Sequence, residues 1–371
     1  MTTAALKSPT SQSMTLLSRI LLAPRDGDRS SMSTSEELKS ELRNISREKF
    51  DELVALASSN HVIVRGLEFF VDVMRDANDY MRAEWAQTAL DKEKARIKTA
   101  LNFLHEICAA FEDEHYDVAV IKSLDHWPDL GSDLDLYTNA KPDEIAKLMK
   151  KRFSGQVASR SWGDRLACKW NFIIPGLPEA VEVHMGRLGQ TGEQATIASR
   201  LAERTRRVVI GKQEFRVPSA SDRLMISTLQ RMYRHFYFRL CDIVDTAELW
   251  NSGVIDFRDL RSAATQAGIW EGVATYLAIV SDYVRQFSGS GLELPGFVLS
   301  AARFGGDQIY YAKEFLRVPI MPQAAKLYGS QLAGLFRKRE LQNGARLSLL
   351  PWLATAALVG QKLTGSDKGI W

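Results

Sequence analysis

Cysteine is scarce in this chain of 371 residues. Cys108, Cys168 and Cys241 are far apart, with no Cys-x-x-Cys unit and no Cys/His spacing of a zinc site. A disulfide framework is excluded as the organising device. The thiols read as reduced, small apolar side chains, and the expected location is cytoplasmic. Long apolar runs are also missing. No stretch reaches the roughly 20 apolar residues needed to span a bilayer. The nearest, 347–359, is short and carries Pro351. The apolar run 14–23 contains Arg19 and lacks a clean cleavage site, which argues against a signal peptide. No charge of one sign dominates: 48 Lys and Arg face 45 Asp and Glu, a net charge of +3. That balance does not by itself imply a nucleic-acid partner, and an anionic substrate needs only a local basic patch. There is no P-loop, no GxGxxG unit, no Ser/His/Asp triad, no internal repeat and no heptad array.

What is present reads as a globular protein of α+β class, with 45% hydrophobic residues. Residues 1–33, rich in Ser and Thr, are expected to form a mobile arm. Residues 34–114 read as a helical N-terminal region. Ser46 is placed to cap a helix carrying Phe50, Leu53, Val54 and Ala57, and Asn60-His61 marks its break. Residues 115–218 change texture. Strand-like runs fall at 118–122, 133–138, 167–174, 180–184, 207–210 and 214–217, with a helix over 142–152 opened by Pro142. Residues 219–290 return to helical spacing, starting from Ser219 or Ser221 as cap and running on, with a bend, towards Leu249. Residues 291–371 form a C-terminal helical extension. Its basic run (Arg337, Lys338, Arg339, Arg346) and apolar 347–359 stretch suit either docking on a membrane surface or partner, or packing back on the body.

The most informative stretch is DVAVIKSLDHWPDLGSDLDLY, residues 117–137. A short apolar strand breaks at Lys122-Ser123, and a second strand carries Asp133 and Asp135. Residues two apart on a strand share a face, so the two carboxylates stand about 7 Å apart at the backbone while Leu134 and Leu136 enter a core. Like charges held side by side call for a cation. A later strand, AVEVH, adds Glu182 and His184 on one face, with Glu179 as the fallback carboxylate.

These residues carry a resemblance. A strand, a small-residue turn, a spacer and Asp-x-Asp resemble the signature of the DNA polymerase β-like nucleotidyltransferase superfamily. The order over about 45–285 resembles its family of uncharacterised bacterial nucleotidyltransferases, with FDELVALASSNHVIVRGLEFF as lead-in and SASDRLMISTLQRMYRHFYFRLCDIVDTAELW as later helix. Two departures stand out: the turn is Lys122-Ser123 where the family has a Gly, and the Arg usual before Asp-x-Asp is missing.

The resemblance implies a small mixed-sheet nucleotidyltransferase core flanked by N-terminal and C-terminal helical regions. It implies NMP transfer from ATP or another nucleoside triphosphate to a hydroxyl acceptor, with Mg²⁺ or, in its place, Mn²⁺. Asp133, Asp135 and Glu182 take the catalytic and metal-binding places. Lys122, Ser123, Ser132, Arg234 and His235 fall on the nucleotide side, and His184 binds substrate or orients Glu182. Arg231 and Arg239 share the helical spacing of Arg234 and are also open to a solvated reading. His126 and Trp127 border the site or simply fill a turn. The acceptor stays open between a small metabolite or sugar, RNA and protein. Two other readings remain: a catalytically inactive nucleotide-binding or interaction module, and a toxin-like transferase acting on tRNA or protein.

Overall fold

The computed structural model describes residues 9–22 and 31–353. Five helices lead: α1 (Pro9–Leu22), α2 (Ser31–Arg43), α3 (Arg47–Ser59), α4 (Ile63–Asp76) and the long α5 (Tyr80–Asp113). The mixed unit follows as β1 (Ala119–Val120), β2 (Asp133–Thr138), α6 (Pro142–Phe153), β3 (Gln156–Val157), α7 (Trp162–Leu166), β4 (Lys169–Ile173) and β5 (Ala180–Met185). Then come α8 (Ala195–Glu203), the hairpin β6 (Thr205–Ile210) and β7 (Gln213–Pro218), and α9 (Ala220–Thr228). The remainder is β8 (Tyr237–Phe238), α10 (Leu240–Asn251), α11 (Phe257–Gln266), α12 (Trp270–Ser288), α13 (Gly296–Leu299), β9 (Tyr310–Ala312), β10 (Phe315–Arg317), α14 (Ala325–Arg337) and α15 (Leu341–Ser348). The fold is α+β, with a small mixed sheet among flanking helices.

That sheet has five strands in the order β1-β2-β5-β4-β3. β2 and β5 run parallel, and the other neighbours are antiparallel. The register sets Asp135 against Glu182, and Glu182 in turn against Asn171. Alternation then sends Leu134, Leu136, Val181, Val183 and Phe172 to the opposite, fully buried face. One face is hydrophobic core and the other collects polar groups, so a one-residue slip would invert both.

Local chemistry explains the element ends. The Ser46 hydroxyl accepts from Lys49 N at 3.3 Å at the start of α3. Ser219, not Ser221, caps α9, accepting from Asp222 N at 3.3 Å. Pro142 sits in the first turn of α6, and Ser154 closes it in the left-handed region.

Two expectations change. Residues 9–22, expected within a mobile arm, form α1, which buries Met14, Leu17, Ile20 and Leu21. Their three- and four-residue spacing makes one apolar face, and Ser18 Oγ is 2.7 Å from the Tyr283 hydroxyl of α12. Residues 1–8 and 23–30 of that arm lie outside the described residues. The long helix after Pro218 is also interrupted. Residues 229–235 form a wide π-turn segment, and Phe236 then takes φ 54° before β8. Within it Arg231, 1% exposed, turns its guanidinium inward to Asp242 at 2.7 Å. Of the two readings of the basic tail, its described part follows packing back on the body. Lys338 Nζ donates to the Thr265 and Gln266 carbonyls at the C-terminal end of α11, both at 2.6 Å. Arg346 donates to the carbonyls of Leu166 (2.9 Å) and Thr191 (3.1 Å). Among the described residues no helix is long and apolar enough to cross a membrane. Residues 354–359 of the apolar stretch lie outside the description.

Candidate active site

The polar face of the sheet gathers Asp135 and Glu182, each 8% exposed, with His184, Lys122 and Lys169. Lys122 Nζ lies between the two carboxylates, contacting Asp135 Oδ1 and, at 3.3 Å, Glu182 Oε1. His184 Nε2 is 2.8 Å from the same Glu182 oxygen and 3.8 Å from Asp135 Oδ1. Lys169 Nζ meets the other Glu182 oxygen at 3.0 Å and Asp164 at 2.8 Å. Asp135, Glu182 and His184 each offer a ligand atom, all within 4.8 Å of one another. Asp133 is outside this group, exposed at the entry to β2.

The electrostatics follow from those contacts. Burial alone would lift the Glu182 carboxyl. Lys122, the His184 hydrogen bond and Lys169 overcome it and hold the group well below its usual range. Burial would likewise lower the Lys122 ammonium, but Asp135 and Glu182 raise it. Asp133 moves the other way. Although its surface is exposed, the partial desolvation of its carboxyl, then the charges of Asp135 and Glu182, push it up to about 6.

The backbone that presents Lys122 is unusual. Ser123 N donates to Ile121 O at 2.6 Å, closing a γ-turn in which Lys122 has φ 60° and ψ −57°. This turn is rare and strained for a residue with a Cβ. Its persistence requires surroundings that fix it, and the grip of Asp135 and Glu182 on the ammonium supplies them.

Ser123, expected to meet phosphates, has its hydroxyl engaged elsewhere. It accepts from Asp135 N at 2.7 Å and donates to Asp133 O at 3.2 Å. At 2% exposure it pins the start of β2. Ser132 is exposed in the loop just before β2. Arg234 lines the cleft beside Lys122 and His184, whereas the His235 ring lies 5.5 Å from Tyr237. Burial, then Arg234 and Arg231, drives His235 well below its usual range, so it is neutral. Arg231 is committed to Asp242, and Arg239 lies over the Tyr237 and Phe315 rings. The fallback Glu179 is buried against Arg96, which also holds the Leu130 carbonyl at 3.0 Å.

His126 belongs to a second cluster. Its Nδ1 is 2.5 Å from Asp245 Oδ2, Cys241 Sγ is 3.9 Å from Nε2, and Arg65 grips Asp245 at 2.8 Å. This cluster ties the loop before β2 to α10 and α4. Trp127 stays 42% exposed beside it.

No family model matches this chain. No curated protein matches it either. Among solved structures the chain is similar to an antigenic nucleotidyltransferase-like protein from Paracoccidioides brasiliensis, at 14% identity and a TM-score of 0.32. The match covers 45% of this chain and 85% of that one.

Two site residues escaped the sequence reading. Lys169 is a cation inside the apolar run ACKWNFII, and that misfit was the available signal. Asp164, which holds Lys169, gave none.

Proposed function

We propose that this protein transfers a nucleoside monophosphate from a nucleoside triphosphate to a hydroxyl acceptor, with a divalent cation. The observation that carries the reading is Asp135 facing Glu182 across β2 and β5, with Asp133 two residues ahead on the same face.

The donor set fits a divalent cation. Asp133, Asp135, Glu182 and Asp164 bring four carboxylates against the two ammonium groups of Lys122 and Lys169. Asp135 and Glu182 would hold the ion together with His184. Oxygen donors suit Mg²⁺, and the imidazole extends the choice to Mn²⁺. When bound, the ion would withdraw charge from the triphosphate and the acceptor hydroxyl.

The chain's own groups have separate tasks. Lys122 gives way between Asp135 and Glu182 and meets phosphate oxygens together with Arg234. Lys169 and His184 keep Glu182 ionised and oriented. Asp133 is the better general base, because a group near 6 at the open end of the face accepts a proton more readily than the strongly acidic Glu182. The acceptor oxygen bonds to the α-phosphorus, and its proton passes to Asp133. The bond from that phosphorus to the α–β bridging oxygen breaks, and pyrophosphate leaves.

One observation favours a second reading, nucleotide binding without catalysis. Lys122 already neutralises the carboxylate pair that a metal would need. Pyrophosphate release separates the two readings. The test is incubation with each labelled nucleoside triphosphate, Mg²⁺ or Mn²⁺ and a cell extract, followed by identification of the labelled product.

A further inference from the structure

Beside the carboxylate face lies a cleft of about 610 Å³, its open mouth included. Lys122, His184 and Arg234 line it, and so do Gln190, Tyr328 and Gln331. Much of the remaining wall is apolar, including Ile226 and Leu229. The C-terminal extension therefore completes the cleft. It is fastened there by Arg346, which donates to the Thr191 carbonyl next to Gln190.

Gln331 on α14 is 1% exposed, yet neither its Nε2 nor its Oε1 finds a hydrogen-bond partner among the described residues. The buried Oε1 of Gln190 also lacks one there. A buried amide left without partners opposes folding, and native proteins rarely keep one. The Gln331 amide and the Gln190 Oε1, left so on one cleft, point to a ligand that satisfies them. An amide presents a donor and an acceptor side by side. Its complement is a flat edge offering acceptor and donor side by side, and nucleobase edges are built that way. Apolar walls suit the faces of such a ring, whereas the hydroxyls of a sugar would leave them uncompensated.

We propose that this cleft holds the base of the nucleoside triphosphate and that Gln331, with Gln190, reads its edge. The inference rests on the nucleotidyltransferase reading and adds a base-selecting role for the C-terminal extension. It also gives that extension a reason to carry a buried amide whose polar atoms find no partner among the described residues.

The test is equilibrium binding of the four ribonucleoside triphosphates and of inorganic tripolyphosphate, each with Mg²⁺, to the full chain and to Gln331→Met. The wild type should prefer one base by roughly tenfold, in line with one bidentate contact. Gln331→Met should erase that preference, leave tripolyphosphate binding unchanged and melt no lower than the wild type. Gln190→Leu, at a partly exposed position, should weaken the same preference and serves if Gln331→Met does not fold. Equal affinity for all four bases, a preference that survives both substitutions, or tripolyphosphate binding as tightly as every nucleotide overturns the base pocket and leaves the transferase reading standing. Failure of the wild type to bind any nucleotide or tripolyphosphate overturns both.

Discussion

Asp135 on β2 stands directly opposite Glu182 on the parallel neighbour β5. Two carboxylates set at one register position, both largely buried, would repel if left alone. The protein answers with two lysines, Lys122 between them and Lys169 on the far oxygen of Glu182, and sets the His184 ring against its near oxygen. The site is thus a compensated acidic centre.

Lys122 combines a strained backbone with a gripped side chain. Removing the ammonium leaves buried charge unpaired, a loss of about 3–5 kcal/mol for such groups. Lys122→Ala should therefore destabilise the fold. Lys122→Gly should destabilise it less, by about 1 kcal/mol, because Gly adopts positive φ without steric cost. Urea denaturation of both variants checks the order. An Ala variant as stable as the Gly variant would contradict the strained turn.

Asp133 has a folded pKa of about 6 against an ordinary 3.8. Between those values the folded chain binds its proton more tightly than the unfolded chain, so the wild type loses stability as pH rises through that window. Asp133→Asn removes this loss. Its melting temperature should match the wild type near about pH 4 and exceed it near about pH 7. Turnover should fall by about 10²–10⁴-fold, the usual contribution of a general base. A variant that melts below the wild type at neutral pH would contradict the crowding of the three carboxylates.

Burial would lower the His126 imidazolium, but Cys241 and Asp245 more than offset it and raise the group well above 6.5. A raised histidine stabilises fully below its unfolded value, and that contribution is lost as pH rises through the folded value. His126→Gln should therefore cost most stability near about pH 6 and progressively less in alkaline solution. Thermal melts across that range test it. A deficit independent of pH would mean that the His126–Asp245 contact is not an ion pair.

Much of this was legible locally. Period-two alternation placed Asp133, Asp135, Glu182 and His184 on strand faces, because side-chain direction depends only on neighbours in the chain. Capping chemistry located Ser46, Ser219 and Pro142 for the same reason. What escaped depends on groups distant in sequence. Pairing between β4 and β5 brings Lys169 to Glu182, and the residues around Lys169 do not say which strand they pair with. Ser123 turned from phosphate ligand to strand clamp once β2 lay beside it. The helical spacing through 229–235 did not show that Arg231 turns inward to Asp242. Helix α1 looked like an arm until α12 offered it Tyr283. Gln331 drew no notice because an amide in a helix carries no signal until its missing partners are seen.

Pyrophosphate release by the full chain tests the central claim most directly. The protein should release it in a reaction dependent on Mg²⁺ or Mn²⁺, with the labelled nucleoside monophosphate appearing on a single class of acceptor from the extract. Asp135→Asn should abolish the release while keeping the circular dichroism of the folded chain. No pyrophosphate with any nucleoside triphosphate, metal and extract, or undiminished release by Asp135→Asn, would contradict the account.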